Sequence, residues 1–215
     1  MTTYCQNHPD ILQNADLARS LTVFAIEERS QLAFETIWKL FATEQQKKLV
    51  TSVDEQGDSL IHKGACFGNA FAIQSFFSLL PLEMHHAAAS QPCSSWNDTP
   101  SHLAARVGDC QTIEILAQLY SGNPLQLVNY NHGTAVHLAA KNNACDVLRL
   151  LLKENADVHA MRQDNQGFTP LMRCIENGHV EALETILGCL THAEERFQAI
   201  PISSLMPASR GLIYP

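Results

Sequence analysis

The sequence is short of basic residues. Fourteen Lys and Arg stand against twenty-two Asp and Glu, a formal net charge of −8. Binding nucleic acid through its phosphates needs a basic footprint, so no nucleic-acid partner is expected. Docking on an anionic membrane is disfavoured for the same reason. No run of 18 apolar residues is present to form a membrane span. No basic segment followed by an apolar core opens the chain, so no signal peptide is expected. C-x-x-C is absent, and the seven cysteines (Cys5, Cys66, Cys93, Cys110, Cys145, Cys174, Cys189) are odd in number and widely spaced. That pattern reads as free, mostly buried thiols in a reducing, cytoplasmic setting rather than a disulfide frame. Also missing are a Walker-type Gly-rich loop, G-x-S-x-G, H-E-x-x-H and a marked carboxylate pair. No sequence feature selects a Cys–His nucleophile pair, so no catalytic residue, metal site or cofactor is expected.

What is present is a rhythm. Residues 131–159 read as two short antiparallel helices. Thr134 is placed to cap the first, over 135–142, and Ala139 and Ala140 lie inside it. Asn143 sits where a left-handed stop is wanted. The second helix, 145–153, carries Val147, Leu148, Leu151 and Leu152 on one face. The exit, Asn155-Ala156-Asp157, leads into the next turn. Segments 98–108 (DTPSHLAARVG), 133–143 (GTAVHLAAKNN) and 168–178 (FTPLMRCIENG) repeat the start of that unit. Thr99, Thr134 and Thr169 are 35 residues apart, and a fainter copy, 58–68 (DSLIHKGACFG), puts Ser59 40 residues before Thr99. A period of this size predicts a stacked solenoid, because no single unit can bury its own apolar stripe.

These residues resemble the ankyrin-repeat family: Thr-Pro at Thr99-Pro100 and Thr169-Pro170, His at His62, His102 and His137, and the Asn155-Ala156-Asp157 exit. The resemblance implies an all-α solenoid of helix-turn-helix units joined by short hairpin loops. Four units are expected at 54–80, 94–126, 129–159 and 164–190, with a loop-like insertion at 81–95. In the family the repeated histidine ties neighbouring turns together by hydrogen bonds. A metal ladder of stacked histidines is excluded by spacing, because stacked helices lie roughly 10 Å apart and metal–nitrogen bonds are near 2 Å. His85-His86 beside Cys93 is a weaker metal candidate with no fourth ligand.

Residues 1–53 carry no repeat pattern and are expected to form a helical cap at one end. A helix at 10–29 shows Leu17, Leu21 and Phe24 on one face. Ser30 caps a second helix, 31–41, with Phe34, Ile37, Trp38 and Phe41 inward. Thr43 with Gln46 forms a capping box for a third. An F-box-like adaptor of a ubiquitin ligase is the alternative for this segment. Inner stripes are expected from Ile73, Phe76, Phe77 and Leu80 in unit one, and from Ile113, Leu116 and Tyr120 in unit two, whose second helix Asp109 caps. In unit four the stripe is Val180, Leu183 and Leu187, with Met172 in the histidine slot and Cys174 in the slot of Ala104 and Ala139. Residues 191–215 are read as a capping helix opened by Thr191 and Glu194, closed by Phe197 and Ile200 and ended by Pro201, then an irregular tail. A longer parent protein is left open.

The resemblance implies recognition of a protein by the concave face, through positions the buried pattern leaves free. In unit one these are Glu55, Gln56, Asp58 and Phe67; in unit two Ser95, Trp96, Asp98, Arg106 and Val107. Unit three offers Tyr130, Asn131, Lys141 and Asn142, and unit four Asn165, Gln166, Phe168, Glu176 and Asn177. Trp96, Tyr130 and Phe168 are aromatics near successive hairpin tips, the residue type enriched in binding hot spots. The acidic balance predicts a partner of basic character, and the chain is expected to be a monomer. The alternatives are a regulatory or substrate-recognition segment of a larger enzyme, or an effector that intracellular bacteria place in a host cell.

Overall fold

The structure is a computed structural model that describes residues 14–93, 95–119, 126–153 and 156–190. Thirteen helices are present among these residues, with one isolated bridge between Val53 and Ser59. In chain order they are α1 Ala15–Glu27, α2 Gln31–Trp38, α3 Thr43–Thr51, α4 Leu60–Cys66 and α5 Ala70–Leu79. Then come α6 Leu82–Ser90, α7 Pro100–Val107, α8 Cys110–Leu119, α9 Ala135–Lys141 and α10 Cys145–Leu151. The last three are α11 Ala156–Ala160, α12 Pro170–Asn177 and α13 Val180–Cys189. Cys5, Tyr120, Asn155, Thr191, Glu194, Phe197, Ile200 and the segment after it lie outside the described residues.

Two ladders run through the molecule. First helices α4, α7, α9 and α12 pack in a row, and second helices α5, α8, α10 and α13 form a parallel row. The first row packs closely because its middle slot is small: Gly64, Ala104, Ala139 and Cys174 are all buried there. A methyl on Gly64 would lie 2.8 Å from the Ile73 side chain, which shows how little room remains. Each turn between paired helices holds one left-handed residue: Gly68, Gly108, Asn143 and Gly178. Behind it a backbone N–H reaches back five residues, as in Asp109 to Ala104 and His179 to Cys174, which satisfies a helix-end carbonyl.

Helices α1 and α2 extend both ladders by one more pair. α1 packs on α4, and α2 on α5. Arg29, at φ 50°, holds the left-handed position between them. The N-terminal segment thus follows the repeat geometry without its sequence signature. Ser30 caps α2 by accepting from Ala33 N, and Phe34, Trp38 and Phe76 form an aromatic cluster with centroids 5.3–5.7 Å apart.

Several expectations are corrected. The buried face of α1 is Ala18, Thr22, Ala25 and Ile26; Leu17 and Phe24 are exposed and Leu21 is half-buried. Close approach to the small residues of α4 selects small residues on α1 rather than the largest ones. The Thr43–Gln46 capping box does not form, because Gln46 Nε2 donates to the Trp38 carbonyl instead. The insertion is helical: α6 packs on α7 and α8, and His85 bonds the Phe77 and Leu80 carbonyls. Its imidazole is therefore structurally engaged rather than poised beside Cys93. The exit of unit three is also helical, as α11. In α13 the buried face is Ala182, Thr185 and Ile186, while Val180 is exposed and Leu183 and Leu187 are half-buried. The other expected stripes are inward: Ile73, Phe76, Phe77 and Leu80, then Ile113 and Leu116, then Val147, Leu148, Leu151 and Leu152. Asp109 caps α8 through Gln111 N and Thr112 N.

Candidate functional site

The hairpins that project beside the first helices are built by one short-range device. Asp54, Asn129 and Asp164 each accept two backbone N–H groups through Oδ1, two and four residues on, at 2.8–3.1 Å. Each lies five residues before the Ser or Thr cap, a fixed spacing that the sequence itself carries. Gly57, His132 and Gly167 supply the left-handed residue at these tips. Unit two departs from the pattern. Its hairpin opens at Cys93, closes by Cys93 N to Asp98 O, and is one residue longer. Asn97 takes the left-handed position, and Trp96 beside it is exposed.

Neighbouring hairpins are tied together. Tyr130 N donates to Trp96 O at 3.0 Å, and Asn165 N donates to Asn131 O at 2.9 Å. A histidine on each first helix adds a second tie. In His62, His102 and His137, Nδ1 accepts the backbone N–H of Ser59, Thr99 or Thr134. Nε2 must then carry the proton and donate, to Gln91 O, Gly133 O and Phe168 O at 2.9–3.1 Å. Burial disfavours the imidazolium, so all three titrate below the usual histidine range, His137 at about 4. Unit four has Met172 in this slot, buried, and only the Thr169 hydroxyl caps α12.

The predicted binding residues divide by exposure. Glu55, Gln56, Ser95, Trp96, Val107, Tyr130, Asn131, Lys141, Asn142, Asn165, Gln166, Glu176 and Asn177 are exposed. Asp58, Phe67, Arg106 and Phe168 are half-buried, and Asp98 is buried. Asp58 pairs with Lys63 at 2.6 Å, and Phe67 packs on the core. Phe168 lies under the Arg173 guanidinium, 4.3 Å from the ring centroid, and Arg173 also holds the buried Asp164. Asp98 accepts from Asn129 Nδ2 at 2.8 Å and faces Arg106 Nη1 at 3.5 Å. Asp98 and Phe168 therefore serve the scaffold first. A carboxylate so buried needs both partners, because burying a charge unpaired is costly.

Between units two and three the exposed residues converge on one cleft of about 300 Å3. Trp96, Asp98, Arg106, Asn131, Lys141 and Asn142 line it, all six named from the sequence. Leu138 and Asn129 complete the wall and were not anticipated. Arg106 and Asn142 are shared with a second recess of about 350 Å3 at the inter-helix turns, which Arg149 and Glu181 also border. The cleft holds two cations against one paired carboxylate, so its local charge is opposite in sign to that of the chain.

The six described cysteines outside position 5 are free. Burial pushes the Cys174 thiol up to about 11, which makes it inert at neutral pH. Among the described residues no group of three His, Cys, Asp or Glu side chains comes together to hold a metal. Nor is any helix among them long and apolar enough to cross a membrane.

Residues 61–162 and 101–195 match the model of a family described as ankyrin repeats in three copies. The human transient receptor potential cation channel subfamily A member 1 is 28% identical over 145 residues, 67% of this chain and 12% of that protein. The target of rapamycin complex 2 subunit AVO2 of Saccharomyces cerevisiae is 28% identical over 144 residues, 65% of this chain and 31% of that protein. The chain thus spans less than a third of either relative.

Proposed function

Because the chain belongs to the ankyrin-repeat family, whose repeats are protein-interaction modules, we propose that it recognises a protein partner through its hairpin tips and the exposed side of its first helices. One observation carries this reading. Trp96 and Tyr130 are 59% and 61% exposed on adjacent hairpins that a backbone hydrogen bond locks together. Large aromatics held rigid at the rim of a cleft lose little freedom when a partner covers them, which is what hot spots exploit. The yeast relative is by its name a subunit of a complex, which agrees with such a role. The repeated histidines are fully engaged in structural bonds, which supports binding rather than acid–base chemistry at those positions. The free thiols support action in a reducing compartment.

The test is affinity capture with the wild-type chain and a Trp96→Ala/Tyr130→Ala variant, with melting temperatures measured alongside. Partners held by the wild type and lost by an equally stable variant support the reading. Identical capture by both overturns it.

A further inference from the structure

We infer that the Trp96–Lys141 cleft receives an acidic side chain, Asp or Glu, from an extended protein segment that also lays an apolar residue against Trp96. This rests on the protein-binding reading above and specifies the chemistry of the partner.

Local charge, not the total, governs such a site. The overall −8 says little about a site only a few ångströms across, because exposed charges beyond about 8 Å are screened at physiological salt. Inside the cleft the one carboxylate, Asp98, is 3% exposed and already engaged by Asn129 and Arg106. It can offer little to an incoming cation. Arg106 keeps donors to spare: Nη1 stands 3.5 Å from Asp98, and Nη2 has only a weak 3.8 Å contact with Cys66 Sγ. Lys141, exposed at the end of α9, lines the same cleft. A carboxylate entering the cleft meets two cations, and a planar guanidinium can bind it through paired N–H donors. Leu138 and the face of Trp96 provide the apolar part of the same pocket. A volume of about 300 Å3 suits one or two side chains rather than a folded surface. The second recess shares Arg106 and Asn142 with it, which offers an extended segment a neighbouring seat.

The test uses a phage-displayed library of linear random peptides selected on the full chain, with Lys141→Glu and Arg106→Gln variants as comparators. Lys141 is exposed, so its reversal leaves the fold intact, and melting temperatures check Arg106→Gln. The expected result is enrichment of peptides with Asp or Glu next to a Trp, Phe or Leu. A synthetic peptide of that sequence loses roughly tenfold or more in affinity on Lys141→Glu, about one charge-assisted contact, and weakens as salt is raised. Enrichment of neutral or basic peptides, acidic peptides bound equally by Lys141→Glu, absence of any enriched peptide, or displacement of the peptide by poly(U) RNA overturns the inference. A non-acidic peptide that still depends on Trp96 overturns only the acidic assignment. The protein-binding reading itself falls only by the capture experiment above.

Discussion

His137 Nε2 lies 3.1 Å from the carbonyl oxygen of Phe168, 31 residues on, and so joins unit three to unit four through a neutral imidazole. Its Nδ1 accepts from the Thr134 backbone N–H at 3.1 Å, so a proton added there would face a donor. Burial holds its pKa at about 4 against an ordinary 6.5. The folded pKa lies below the unfolded one, so the stabilisation is complete above pH 6.5 and is lost as the pH falls towards 4. By linkage the loss is about 3 kcal/mol for this residue, and His62 and His102 shift in the same direction. The melting temperature is expected to fall markedly between pH 7 and 4.5. In His137→Ala that fall is shallower, and the variant is destabilised at pH 7 by about 3 kcal/mol, because the buried Thr134 N–H loses its acceptor and the tie to Phe168 O is cut, although Asp164 N still bonds that carbonyl. A melting temperature flat from pH 7 to 4.5 would contradict this.

Two left-handed turn residues make a second prediction by contrast. Arg29 sits at φ 50° between α1 and α2, and its guanidinium makes a long 3.5 Å contact with Gly68 O. Arg29→Gly removes the steric cost of that conformation and is expected to stabilise by about 1 kcal/mol. Asn143 has φ 55°, but its Oδ1 accepts from Ala182 N at 3.1 Å and so caps the start of α13 in the next unit. Asn143→Gly relieves strain and loses that cap, so it should be neutral or destabilising. Chemical denaturation of both variants settles the comparison.

The same contrast shows what the sequence could disclose. Thr99, Thr134 and Thr169 recur because a cap must meet the N–H groups of its own helix, a local need that leaves a fixed spacing. The histidines recur for the same reason and reach one unit further. The N-terminal pair was hidden because its left-handed position is an Arg and its caps are Asn14 and Ser30. Apolar periodicity failed in α1 and α13, where buried Ala18, Ala25 and Ala182 matter more than exposed Leu17, Phe24 and Val180. Packing distance, not side-chain size, chose those faces. In the cleft, six lining positions were legible as places the buried pattern left free. The depth of Asp98 was not, because it depends on Asn129, 31 residues away.

Trp96 and Asp98 are two residues apart and are expected to respond oppositely. Trp96→Ala should cost a partner about 2 kcal/mol of affinity, as a hot spot does, while melting changes little. Asp98→Ala removes the acceptor of Asn129 Nδ2 and the counter-ion of Arg106, and should cost about 1–3 kcal/mol of stability. Calorimetric melting and binding measured on the same two variants test this; a large melting loss in Trp96→Ala would make that ring part of the core.

Arg19 decides how firmly the first helix pair is held to the stack. From α1 it donates to Ser52 Oγ at 3.0 Å and Ser52 O at 3.3 Å, and to the Asp58 carbonyl of the unit-one hairpin. Asp54 stands 3.9 Å away and is shared with Lys63. In a solenoid each unit contacts only its neighbours, so a lesion at one end weakens that end first. Arg19→Ala leaves the Asp58 carbonyl and the Ser52 groups without this donor. Hydrogen exchange should therefore quicken in α1, α2 and α3, while the amides of α9, α10 and α12 keep their protection. Uniform loss of protection along the chain would mean that the whole stack opens as one unit and that Arg19 is no local clasp.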